Sequence, residues 1–217
     1  MDFGKAFTFV FDDPDWLKKV AINALIGLIP IVGQLYLLGW GLEVARRVAM
    51  RSGTPLPDVD FGTHLGHGFK AFVLGLVYTI PIWVVILPMI IVIAIADAAG
   101  LGRDAREMIE MVCGLCAGLI LLVYALVLAF AMPAALTRAV VKGSIRAGLE
   151  VRQVVALVRA APGAYLLTLV GTLIASLLAS IVGGIACGIG IIFTMAYYQV
   201  VMGHFYGQAY LEAGGTA

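Results

Sequence analysis

Charge is what this chain has least of. Only 12% of its 217 residues are charged, against about a quarter in a soluble domain. The few charges nearly cancel, 14 Lys and Arg against 13 Asp and Glu. That balance excludes a polybasic nucleic-acid binder. Cysteine is scarce too. Cys113, Cys116 and Cys187 lie in apolar runs, so no disulfide framework is expected. The start lacks the basic n-region and Ala-x-Ala site of a cleaved leader and is expected to be retained. Position 2 is Asp and no Cys lies near either end, so no lipidation signal is present. No Ser-His-Asp order, paired catalytic carboxylates or phosphate-cradling loop is visible. The Gly183–Gly190 stretch is glycine-rich but carries no Lys, so it is not a P-loop. No catalytic residue, cofactor or metal is expected.

What fills the chain instead is apolar: 62% hydrophobic, with a mean hydropathy of +1.05. The lipid bilayer is its main solvent. The stretch Asp12–Arg51 sets the pattern. Pro14 suits the first turn of a helix. Trp16, Lys18 and Lys19 follow at the position of interfacial anchors. The apolar run Val20–Ile29 rises only about 15 Å, half of a hydrocarbon core of roughly 30 Å. Pro30 and Gly33 break it, and Gln34–Val48 resumes it up to Arg46 and Arg47. Two readings stand: one Pro-kinked, tilted helix, or a hairpin that enters and leaves on one face.

The motif Phe11-x-Asp-Pro-x-Trp-x-Lys-Lys19, the Ile-Pro-Ile-Val-Gly33 break, the Arg46-Arg47 exit and the linker Gly53…Leu56-Pro57…Asp60-Phe61…Gly68 resemble a bacterial and archaeal membrane family, domain of unknown function four-zero-one-three. The ending Cys187-Gly-Ile-Gly190…Gly207-Gln-Ala-Tyr210 is similar to that family's as well. The resemblance extends loosely to membrane domains found beside glycerophosphodiester phosphodiesterases. It implies an architecture and no activity.

The rest reads in order. Phe3–Phe11 is an amphipathic interfacial helix, with Phe3, Phe7 and Phe11 four apart. Residues 52–70 form a linker and a second interfacial piece. Ala71–Ala96, with Pro81 and Pro88 inside, exceeds the roughly 20 residues needed to cross. Met111–Pro133 is another full span, so residues 71–136 hold two. In 137–163, Arg138, Lys142, Arg146, Arg152 and Arg159 alternate with apolar residues, as in a cationic helix or helix pair on anionic lipid. Residues 164–210 form a second hairpin broken by Gly183, Gly184, Gly188 and Gly190. The expected fold is thus all-α, a polytopic integral membrane protein of about six helical segments: the first hairpin (1–51), two spans and the second hairpin, with amphipathic interfacial helices. The basic connections are cytoplasmic by the positive-inside rule. With the hairpin reading both termini join them, in a cytoplasmic (inner) membrane.

Several polar residues invite a functional reading. Cys113-x-x-Cys116 sits mid-helix and reads as packing rather than redox chemistry. His64 and His67 supply only a partial metal set with Asp58 and Asp60. Glu43 is placed to pair locally with Arg46 and Arg47. Asn23 is a further polar group on the first hairpin. Gln34, Gln199 and His204 are candidates for a polar path. Gly171, Ser176 and Ser180 give small residues for close helix packing. The expected function is assembly, with itself or with another membrane protein, in contact with membrane lipids. The alternative is a channel or small-solute transporter using the broken hairpins. No nucleic-acid partner is expected.

Overall fold

The computed structural model describes residues 1–53, 56–185 and 189–216. Every regular element among them is a helix: α1 (Phe3–Thr8), a 3-10 turn (Phe9–Asp12), α2 (Trp16–Ile26), α3 (Val32–Ala49), α4 (Phe61–Ala98), α5 (Arg103–Val141), α6 (Ile145–Leu149), α7 (Val151–Ala160), α8 (Pro162–Ile185) and α9 (Ile189–Glu212). Three of these, α4, α5 and α8, are long and apolar enough to cross a membrane. The chain divides into two compact units, residues 1–74 with 130–217, and residues 75–129.

The first unit is organised around α3. Tyr36, Leu37, Trp40 and Val44 bury one side of it against Val20 and Ala24 of α2, Phe9, Val10 and Leu56. Ala196 and Val200 of α9 close the same cluster. On its other sides α3 touches neighbours through glycine. Gly39 lies against the His64 carbonyl and Gly68 against that of Leu35, so the start of α4 runs antiparallel to α3 at backbone contact. Gly41 meets Gln199, Gly203 meets Gly41, and Gly207 meets Ala45 and Val48. Helix α9 therefore runs parallel to α3. Helix α8 returns antiparallel along α9, with Gly171 on the Phe205 ring and Gly183 on Ile191 and Thr194. The N-terminal segment lies over α9. The Tyr197 hydroxyl donates to the Phe7 carbonyl at 2.5 Å.

Between α2 and α3 the chain turns back, so residues 17–48 form a helical hairpin and not one continuous kinked helix. Lys19, early in α2, bonds to Asp58, beyond the end of α3, at 2.9 Å. Pro30 stops the first helix, and Ile31 takes a left-handed φ of 65°, a strained choice for a β-branched residue. The Gln34 side chain donates to the freed Gly27 carbonyl at 3.0 Å.

Helix α3 ends in a Schellman motif: Ser52 N–H bonds the Arg47 carbonyl and Arg51 N–H that of Val48. Its left-handed position is Arg51, at φ 54°, where glycine is usual. Arg51→Gly relieves a backbone cost of about 1 kcal/mol. Part of the gain is offset in the unfolded chain, so we expect a rise of a few degrees in apparent Tm in detergent. No rise would mean that the Arg51 side chain itself stabilises the turn.

Two boundaries differ from the sequence reading. Asp60 caps α4, accepting from Thr63 N–H at 3.1 Å, and the helix continues unbroken past Lys70 and through Pro81 and Pro88. The interfacial piece and the span are one helix of about 57 Å. Likewise α5 passes through Pro133 to Val141, so Arg138 lies on it and only α6 and α7 form the separate basic segment. Helix α7 buries Val154 and exposes Arg152 and Arg159.

The second unit is a helical hairpin, the later part of α4 and the earlier part of α5 joined by residues 99–102. Arg106 pairs with Asp97 across that turn, and the Tyr124 hydroxyl donates to the Tyr78 carbonyl at 2.7 Å. Leu76, Ile80, Trp83, Val84, Leu87 and Ile91 of one helix are exposed, as are Leu115, Leu119, Val123 and Leu126 of the other.

Candidate functional site

The polar groups of the first unit gather in two places. The first is a seam between α2, α3 and the start of α4. Asn23 donates its amide to the Lys19 carbonyl at 2.7 Å. Its oxygen therefore faces Tyr36, whose hydroxyl donates to it at 2.5 Å. That uses the hydroxyl's one proton, so His64 Nδ1, 3.1 Å away, carries the hydrogen of the next bond. One chain of bonds thus ties α2 to α3 and α4.

At the other end of the seam sits Glu43, 2% exposed. Arg46 grips it through two bonds of 2.8 Å, and Arg47 adds one of 3.2 Å. His67 Nδ1 lies 3.4 Å from the same carboxylate. That is within ion-pair reach, but too poorly placed for a hydrogen bond. Burial pushes the Glu43 carboxyl up, but the Arg46 and Arg47 guanidiniums outweigh it and hold it below its ordinary value. Where the chain enters α2, burial works against the Lys19 charge. Bonds to Asp13 and Asp58 prevail and raise its pKa, and Lys19 in turn depresses Asp58. These groups are consumed by one another. The seam can fasten three helices, but it offers no nucleophile beside a base.

The second place is a cleft of about 350 Å³ at the end of α3. Lys5, Phe9, Asp12, Arg47, Val48, Ser52, Gly53 and His204 line it. Lys5 bonds Asp12 at 2.5 Å. The His204 ring stacks on Phe9, centroids 4.3 Å apart, and its Nδ1 meets the Gln208 amide nitrogen at 2.9 Å. Backbone atoms of Asp2 hold Gln208 in turn: Asp2 N–H donates to its Oε1 at 2.8 Å, and its Nε2 donates to the Asp2 carbonyl at 3.0 Å.

The polar-path candidates are not brought together. Gln34 caps the hairpin turn, Gln199 lies against Gly41 with its Oε1 buried and unpartnered, and His204 belongs to the cleft. Among the described residues no hydrogen bond links them. Of the small-residue set, Gly171 packs inside the chain, Ser176 is half-buried and Ser180 is exposed. The buried stripe of α8 runs instead through Ala164, Thr168, Gly171, Ala175, Ala179 and Gly183. Gly184 is exposed within α8, Gly190 is the second residue of α9, and Gly188 lies outside the described residues, as does Cys187. Trp16 packs on the main cluster, while Lys18, Lys142 and Arg146 are exposed. Arg138 pairs with Glu150 at 2.5 Å. Cys113 and Cys116 are free thiols.

Sequence reasoning missed the contact glycines Gly39, Gly41, Gly203 and Gly207. The four-residue spacing of Gly203 and Gly207 was the available signal. It also missed Lys5, Asp12 and Ser52, which no periodicity joins to His204.

No curated protein and no solved structure matches the chain. A family model does, over residues 22–202, described as a protein of unknown function. That stretch holds the last five residues of α2, all of α3, the whole second unit, and α8 with more than half of α9. The chain belongs to the DUF4013 family of proteins of unknown function.

Proposed function

We propose that this is a non-enzymatic integral membrane protein that acts by assembly, its second unit joining that of another copy. The observation that carries this reading is on α5. Gly114 and Gly118 lie one turn apart, and a side chain added at either would meet nothing within 4 Å. Apolar residues surround them on an exposed surface. A G-x-x-x-G ridge in an apolar helix lets two backbones approach closely, and two copies of one ridge are self-complementary. The same pair could seat another membrane subunit, which the test below separates from self-assembly.

Charge supports the placement in the membrane. Arg46, Arg47 and Arg51 end α3, Arg138 ends α5, and α6 and α7 carry Arg146, Arg152 and Arg159. With these on the cytoplasmic side, α4 leaves the cytoplasm and α5 returns. Helix α8 crosses again, and α9 brings the C-terminus back inside. The parallel course of α3 and α9 suits this arrangement. The exposed cations of α7 then rest on anionic headgroups.

The test is the mass of the purified particle in mild detergent. A dimer or defined higher oligomer is expected, and Gly114→Leu with Gly118→Leu should convert it to monomer while leaving the apparent Tm unchanged. A wild-type chain that is monomeric when purified alone would overturn self-assembly.

A further inference from the structure

We propose that the cleft at the end of α3 binds a phosphate group, supplied by a lipid headgroup or a soluble phosphate ester. This gives a defined site to the lipid contact proposed above, but it does not depend on assembly through the second unit. Three groups of different kinds line it: the Lys5 side chain, the His204 ring, and Arg47, which keeps its bond to Glu43 and contributes positive charge. Ser52 and Gly53 complete the lining.

The hydrogen bonds below His204 decide what it offers. Asp2 N–H can only donate, so the Gln208 atom it meets is the oxygen. The Gln208 nitrogen is therefore the group facing His204 Nδ1, and it donates. Nδ1 must accept, which leaves the neutral ring's hydrogen on Nε2. A protonated ring would set two N–H groups against each other. The imidazole is thus held as a donor, in the form that suits an oxyanion.

Arg51 takes the left-handed position of the Schellman turn just before Ser52 and Gly53 of the lining, where a residue other than glycine is strained. Asp12 is the one carboxylate in the lining, and it occupies Lys5. An incoming phosphate must compete with it for that ammonium. The cleft lies at the end of α3 that carries Arg46, Arg47 and Arg51, the level at which a phospholipid presents its phosphate.

The experiment is native mass spectrometry of the full chain purified in a maltoside, which carries no phosphate. Phosphatidic acid, phosphatidylglycerol and glycerol 3-phosphate are titrated separately. We expect one tightly held phosphate ligand per chain. Lys5→Gln and His204→Phe should each weaken it about tenfold, the value of one charge-assisted bond. Asp12→Asn should tighten it, and Lys142→Gln, a basic change elsewhere, should leave it alone. Lipid binding without glycerol 3-phosphate binding identifies a headgroup site, and binding of both identifies a general phosphate ester site. Failure of all three ligands, or equal binding by wild type and Lys5→Gln, overturns the proposal. Lys5 is half-exposed, so its variant remains informative even if His204→Phe fails to fold. Loss of binding in Lys142→Gln to the same degree would also overturn it, since diffuse charge would then be the cause.

Discussion

Gly68→Val is expected to cost about 3 kcal/mol or more, the upper range for overpacking a core. The added carbons would fall on the Leu35 carbonyl. What they meet is backbone, which has no rotamer to yield. Relief requires α4 to move away from α3, and that movement would pull His64 from Tyr36 and His67 from Glu43. Gly39→Val acts from the other side of the same contact, against the His64 carbonyl. Either variant should lose most of its thermal transition in mild detergent. Gly75→Val, next along α4 with open space around it, should behave as wild type. Equal behaviour of Gly68→Val and Gly75→Val would mean that the close contact of α3 and α4 is not formed.

The second large effect is a change of sign in what Glu43 contributes to stability as pH falls. In the wild-type protein Glu43 has a lowered pKa, so the stability it contributes is present above its unfolded value, 4.5. That contribution is lost only as pH falls through the lower folded value. Between neutrality and pH ~5 this ion pair makes stability flat. The double variant Arg46→Met, Arg47→Met leaves a carboxylate that is 2% exposed with only His67 beside it. We expect a loss of about 3 kcal/mol at neutral pH, the lower end for a broken buried pair because both guanidiniums reach solvent. Burial now raises the Glu43 pKa, so its penalty applies above the folded value and lifts as the proton is taken up. Uptake by His67 instead restores a charge partner. By either route the variant gains stability relative to the wild type as pH falls over this range. Apparent Tm at several pH values reads this directly, and parallel profiles for the two proteins would refute it.

Much of the fold was legible because it rests on long apolar runs. Ala71–Ala96 and Met111–Pro133 could be little else than helices in lipid, and Pro30 with Gly33 marked a turn that the structure makes. The Glu43 ion pair was legible because its members share one helix. The contacts between helices were not. Gly203 touches the backbone of Gly41, while Gly114 touches nothing, yet in sequence each is a glycine in an apolar run. His64 and His67 stand three apart and suggest one shared site, but a helix crossing another gives each a partner at its own depth, Tyr36 and Glu43. The start of α4 was hidden for a different reason. A helix that passes from polar surroundings into lipid changes composition without changing backbone, so the shift at Lys70 looked like a boundary.

The packing around α9 bears on how the protein is made. Helix α9 contacts α1, α2, α3 and α8, and it leaves the ribosome after all of them. About 140 residues separate the end of α3 from the start of α9. At synthesis rates of ~5–20 residues per second, the first hairpin waits on the order of ten seconds for its partner. During that time Gly41, Ala45 and Val48 of α3 have no protein cover on that side. The nascent chain therefore carries an uncovered face on α3 that the finished molecule does not.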